Sequence, residues 1–307
     1  MSDNSHLQRS HINDTALQED PLTDPAPDPS SPRHPLNASR EYHVAPRHLA
    51  PGSGVPDTAL QRLATARWLH GGDDVANVYL ASPDLRIRFG FLPETPGPLW
   101  KATAAGDPFH GEAAWLVTMS DRTPAEIVAD FASALVGVHA EGPAAYLTDN
   151  HPVAFDETLV AAGWNTVEDE RLPYAFSQSP DGYAEVHHIP GDLDRASELS
   201  GATARWIVNG GTDEQRWWIT ASSATPTRLV AGLYGAVVNP APIRREGNDL
   251  RHVPACATVT PVAPVRGSSR ALAAHAGSPL IRSARPSVSA QSGPAFVRGG
   301  IRQAVSR

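Results

Sequence analysis

The sequence predicts an α+β fold built from two tandem repeats. Each repeat is a short helix, a roughly four-stranded antiparallel sheet and a C-terminal amphipathic helix, and tails without structure flank the pair. Three observations lead there. The stretch Trp115-Leu116-Val117-Thr118 is followed by Thr123-Pro124, and Trp217-Trp218-Ile219-Thr220 by Thr225-Pro226. After each Thr-Pro, apolar residues recur at helical spacing and match between the copies: Ile127 with Leu229, Val128 with Val230, Phe131 with Leu233. Before each Trp, short alternating runs are separated by turn residues, which is the pattern of antiparallel hairpins.

In chain order, residues 1–40 are rich in Ser, Asp and Pro and hold too little apolar surface to offset the entropy of ordering, so they read as a disordered arm. The first repeat spans 41–141. His43 to Ala50 could join a sheet, and a helix follows over about 57–66 with Leu60 and Leu63 inward. Its counterpart, 155–164, ends in Gly163-Trp164, with Gly163 placed for the left-handed residue after a helix. The first copy has Arg67 there, so it bears a strain of about 1 kcal/mol or turns differently.

Strands come next. Residues 75–81 and 174–178 lead into Ser82-Pro83-Asp84 and Ser179-Pro180-Asp181, both suited to type I turns. Leu85, Ile87, Phe89 and Phe91 alternate with Arg86, Arg88 and Gly90, and 183–189 is the partner run, with Ala184 and Val186 expected on the arginine side. Third and fourth strands surround Trp100 and Trp206 and start from Trp115 and Trp217. In the closing helix Thr123 is expected as N-cap, Pro124 as first helical residue and Glu126 as the returning member of a capping box, with Gly137 near the end. In the second copy Thr225 and Pro226 repeat the start, but Arg228 replaces the Glu.

The second repeat spans 142–245, joined to the first by a linker near 142–150. From 246 to 307 the periodicity stops. After Asp249 the charged side chains are arginines, from Arg251 to Arg307, so this stretch reads as a disordered basic tail. The 307 residues carry a net charge of -8, one cysteine and one lysine, Lys101. One cysteine excludes an internal disulfide. No apolar run is long enough to span a membrane and the N-terminus has no leader pattern, so a cytoplasmic protein is expected.

Val44-Ala45-Pro46-Arg47-His48-Leu49-Ala50, Ala161-Ala162-Gly163-Trp164, the two Ser-Pro-Asp turns and the doubled Trp-x(7)-Thr-Pro helix together resemble the domain-of-unknown-function 317 family. That family is actinobacterial, typical of Streptomyces-type genomes, and its members often carry two such units. The resemblance covers about 42–245 and implies no activity, cofactor or catalytic residue.

The residues themselves suggest little chemistry. Glu185 and His187 share a strand face but lack a visible third ligand, so no metal is expected. Arg86 and Arg88 could meet a phosphate on an outer strand face. Trp218 has no counterpart, since Leu116 stands there in the first copy, and it points to the opposite face from Trp217. These five residues form the candidate ligand or partner surface. Trp115, Thr123, Pro124, Trp217, Thr225, Pro226, Gly163 and Trp164 are read as structural. The preferred function is binding or scaffolding with a protein partner and no cofactor. Nucleic-acid association through the tail, or an enzyme with a cleft between the repeats lined by Glu185, His187 and Trp218, are the alternatives.

Overall fold

The structure is a computed structural model that describes residues 36–52, 56–148, 155–172 and 174–263. The expected arm at 1–35 and the tail at 264–307 lie outside them.

The two repeats do not form separate four-stranded sheets. They share one ten-stranded antiparallel sheet. The first copy contributes β2 (Leu69–Gly72), β3 (Val78–Ala81), β4 (Ile87–Phe91), β5 (Trp100–Ala105) and β6 (Ala113–Met119). The second contributes β7 (Asn165–Val167), β8 (Phe176–Gln178), β9 (Ala184–His188), β10 (Trp206–Gly210) and β11 (Trp217–Ala221). The order is β2-β3-β4-β5-β6-β11-β10-β9-β8-β7, so the halves meet at β6 and β11. Each copy holds five strands because the residues after the first helix, 69–72 and 165–167, fold back as an outer hairpin strand.

The seam has an internal twofold. Thr118 pairs with Thr220, and Met119 and Val117 pair with Ile219 and Ala221. Ser120 Oγ accepts from the Trp218 N–H and Ser222 Oγ from the Leu116 N–H, each at 3.0 Å. Reciprocal contacts of this kind define an isologous interface, here within one chain.

Helices α1 (Asp57–Thr65), α2 (Ala125–Glu141), α4 (Phe155–Ala161) and α6 (Thr227–Val238) form a layer against the sheet. The stripe Ile127, Phe131, Leu135 and Val138 of α2 is buried as its spacing predicts, and Leu229, Val230, Leu233 and Val237 of α6 join it. Helix α2 runs four residues past Gly137 to Glu141. Trp100, Trp115 and Trp217 lie at the centre of this core.

The helix starts differ from expectation. Pro124 and Pro226, with ψ of 127° and 133°, are themselves the cap residues, so Thr123 and Thr225 lie one step outside. Neither threonine caps. Thr123 Oγ1 meets Ser120 Oγ at 3.1 Å and donates to the Trp218 carbonyl at 3.2 Å, while Thr225 meets Ser222 at 3.3 Å. These hydroxyls bind the seam instead of the helix. Glu126 closes no capping box; it accepts a two-pronged pair from Arg245, at 2.7 and 2.8 Å.

At the end of α1, Arg67 has φ of 62°, and Gly163 has 79° at the matching place. Trp68 N–H reaches the Leu63 carbonyl at 3.1 Å, and Trp164 N–H the Leu159 carbonyl at 3.0 Å. Both copies thus close with the same left-handed motif. The first sustains it without glycine.

A second, three-stranded sheet contains β1 (Glu41–Ala45), flanked by β12 (Ile243–Glu246) and β13 (Thr258–Pro261). The expected start of the tail at 246 is therefore corrected: residues 246–263 fold, around a small core of Tyr42, Val44, Leu49, Ile243 and Leu250.

The short segments preceding each first helix are exchanged. The turn Arg47–Leu49, ahead of α1, docks on copy two, where the His48 carbonyl accepts from Trp217 Nε1 at 3.0 Å. Helix α3 (Pro143–Leu147), ahead of α4, docks on copy one, where the Tyr146 carbonyl accepts from Trp115 Nε1 at 2.7 Å. The indole N–H groups of Trp115 and Trp217 are thus each satisfied by the other half's leading segment.

Candidate binding face

Alternation divides the large sheet into two faces. Ile87, Phe89, Trp100, Trp115, Val186, Val208 and Trp217 enter the core beneath the helices. The intervening residues turn to the second face, and strand register sets them in rows. One row runs Gly71, Tyr79, Gly90, Lys101, Thr118, Thr220, Ile207, His187, Phe176, Val167. A neighbouring row contains Trp218, Asn209, Glu185 and Gln178.

Of the predicted surface residues, Trp218, Glu185, His187 and Arg88 share this second face. Trp218 is half-buried on the central strand β11, one strand from Asn209 and two from Glu185. No inter-repeat cleft holds them, because the seam is a continuous ladder. Glu185 and His187 are in contact, Oε2 to Nε2 at 3.3 Å. His187 is 8% exposed and stacks on Phe176, with centroids 4.7 Å apart and planes 20° off parallel, while Tyr174 meets its edge. Arg88 is exposed and donates to the Pro108 carbonyl at 2.8 Å. Arg86 leaves the group: its guanidinium lies beside the Tyr146 phenol at the Ser-Pro-Asp turn. Ala184 and Val186 do not share the arginine side. They correspond to Ile87 and Phe89, and Glu185 stands where Arg88 does, because Ser179 ties to Ala184 as Ser82 ties to Ile87.

The two turns carry matched polar clusters. Burial by itself would raise the Asp84 carboxyl, but hydrogen bonds from Ser82, Tyr146 and the Arg86 N–H, with the His139 imidazole 3.3 Å away, outweigh it and hold the pKa at about 2. Asp181 follows the same logic. Burial opposes ionisation, while His48 at 2.8 Å and the Ser179 hydroxyl at 2.6 Å hold the carboxylate at about 2. His48 is 4% exposed and walled in beside Trp164. Both carboxylates are filled by donors from their own turn and from the docked segment, His48 for Asp181 and Tyr146 for Asp84, which is what a structural clamp requires. Among the described residues no group of three or more His, Cys, Asp or Glu is placed to hold a metal, and no helix is long and apolar enough to cross a membrane.

Two concavities stand out. One of about 850 Å³ lies between the small sheet and the helix layer. Its deepest cations are neutralised internally: Arg245 by Glu126, and Arg47 by Asp130 at 2.6 Å. The other, about 570 Å³, opens on the second face of copy one, lined by Leu69, Gly71, Tyr79, Arg88, Gly90, Leu92, Lys101 and Thr103. Gly90 adds no side chain to its floor, and the Leu92 side chain folds over that position, with Cδ2 3.2 Å from where a Cβ would stand. The Tyr79 ring beside it is steadied through its hydroxyl by Asp73, 3.2 Å away. Asp73 also binds the Asn77 side chain and the Val75 and Asn77 N–H groups, and these bonds, the Asn77 amide foremost, lower its pKa against the opposing effect of burial. Sequence reasoning missed this groove. Its signals were a glycine in an alternating strand and the chain's single lysine.

The model of the SPDY family, described as a domain of unknown function (DUF317), matches residues 81–139 and 178–243. The two segments cover corresponding parts of the two copies, from the Ser-Pro-Asp region through the Thr-Pro helix. No curated protein and no solved structure matches the chain.

Proposed function

We propose that this chain, which carries the SPDY domain (DUF317) twice in tandem, is a non-enzymatic binding or scaffolding protein of the actinobacterial cytoplasm. Its partner surface is the second face of the ten-stranded sheet around Trp218. One observation supports this above others: the long helices all pack on the opposite face, leaving a large half-buried aromatic ring at the middle of the sheet with no counterpart in the other copy. Aromatic rings in such positions are favoured anchors of protein interfaces. The buried ionisable groups, by contrast, are engaged in clamps that hold turns and segments.

The test is affinity capture from the native cell with the intact chain, the Trp218→Ala variant and an Arg216→Ala control. A protein retained by the intact chain and the control, but lost with Trp218→Ala, is expected. Equal recovery on all three would remove the surface. Capture that vanishes with nuclease and with deletion of 264–307 would transfer the function to the basic tail and nucleic acid. Turnover of any substrate abolished by Glu185→Gln or His187→Gln would replace the binding reading with an enzymatic one.

A further inference from the structure

The two copies differ at one place on the second face, and the difference is a ring. In copy two, His187 stacks on Phe176, its neighbour across β8 and β9. The residues at the same register in copy one are Gly90 and Tyr79. So copy one has the aromatic platform but lacks the ring that lies on it. The groove opens at this register beside the Leu92 side chain, which folds over the position that the imidazole takes in copy two.

The surroundings change sign as well. Glu185, which holds the His187 ring nitrogen, is replaced by Arg88, and Ile207, across from His187, by Lys101 across from Gly90. Copy two sets the Glu185 carboxylate against its own ring. Copy one offers the exposed Tyr79 ring with two cations beside it, Arg88 and Lys101, and Lys101 has no ion-pair partner among the described residues. A ring that fits must therefore bring a negative group. The groove reaches from Leu69 on β2 to Lys101 on β5, three strand spacings or about 14 Å. That length suits a ring joined to an anion through a spacer better than an aryl carboxylate. The volume lies in the range of small-molecule sites. A long polyanion laid across the sheet would meet Glu185 and a chain of net charge -8, so a single small anion is the better match.

We propose that the groove of copy one binds a free nucleoside monophosphate, with the base against Tyr79 beside the Leu92 side chain and the phosphate between Arg88 and Lys101. This goes beyond the partner surface around Trp218 and does not depend on it.

The experiment is calorimetric titration of the full chain with adenosine 5′-monophosphate, with adenosine, inorganic phosphate and a single-stranded oligonucleotide as comparisons. One saturable site for the monophosphate is expected, with adenosine and phosphate each at least about tenfold weaker, as loss of a charge-assisted or stacking contact implies. Gly90→His, which rebuilds the His187 arrangement, should abolish binding. Its new Cβ meets the Leu92 side chain, Cδ2 at 3.2 Å and Cγ at 3.4 Å, so Leu92 must turn aside to admit the ring. The double variant Arg88→Glu with Lys101→Ile copies Glu185 and Ile207, changes only exposed positions and should weaken binding at least about tenfold. Trp218→Ala should leave it unchanged, which separates this site from the partner surface. The proposal is overturned by absence of saturation in the millimolar range, by phosphate binding as tightly as the nucleotide, by an oligonucleotide binding far more tightly than the monomer, or by full binding in both variants. A Gly90→His variant that instead dissolves a dimer of the chain would assign the groove to a second copy and likewise overturn it.

Discussion

The Thr118 hydroxyl lies 2.7 Å from the Thr220 hydroxyl, and the two residues occupy the same position in the two copies. An axis through this pair relates the halves, so the serine-to-backbone contacts of the seam occur twice and each can be tested against its twin.

The serine hydroxyls of the seam make the first test. Ser120→Ala leaves the Trp218 N–H without its acceptor, and Ser222→Ala does the same to Leu116. An unsatisfied buried donor costs about 1–3 kcal/mol. We expect each variant to lose stability in that range in urea denaturation. Loss from one variant and none from the other would show that the seam is not symmetric in energy.

The left-handed residue after α1 gives a second pair. Arg67→Gly should stabilise the chain by about 1 kcal/mol, because glycine adopts φ near 62° without a Cβ penalty. Gly163→Ala should cost a similar amount, since its φ is 79° and the Cβ would meet only Pro180 at 3.5 Å. Thermal melts of both variants check the opposite signs.

Arg245 is 5% exposed and its side chain binds Glu126 through two hydrogen bonds. Glu126→Ala strands a buried guanidinium, and removal of one partner from such a pair costs about 3–5 kcal/mol. Because the pair joins β12 to α2, the loss should appear first as faster amide exchange in the small sheet. Unchanged exchange at Tyr42 and Val44 would argue against that role.

Acid should act through Asp84 and Asp181. Both titrate at about 2 in the folded chain against an ordinary 3.8. The folded values are the lower ones, so ionisation favours the fold: the contribution is complete above about pH 4 and fades as pH falls toward 2. The denaturation midpoint should drop across that window. Asp181→Asn should lower stability near neutrality and flatten part of the acid slope. A slope unchanged in this variant would exclude the His48–Asp181 clamp as a source.

The duplication was legible because its marks are local. Tryptophan, threonine and proline keep fixed spacing, and the apolar stripe of α2 follows directly from Ile127, Phe131 and Leu135. The fused sheet was not, because Thr118 and Thr220 are ordinary strand residues that reveal nothing about which edge they meet. Residues 258–261 pair with 42–45 across more than half the chain, without any periodicity of their own. The threonine cap failed for a subtler reason: Pro124 takes the extended ψ itself, and the nearby Ser120 offers Thr123 another partner. Of the candidate surface, alternation was enough to pair Glu185 with His187. The groove at Gly90 emerged only once β4 could be compared with β9.

The crossed placement of residues 47–49 and 143–147 means that neither half can be cut out at the boundary its sequence suggests. A fragment ending at Glu141 abandons Trp115 without the Tyr146 carbonyl and Asp84 without the Tyr146 phenol. One beginning at Gly142 strands Trp217 and Asp181, both served by His48. Anyone dissecting the pair must move the scissors: residues 143–147 have to stay with the first copy and the peptide around His48 with the second, and even then the cut opens the β6–β11 ladder.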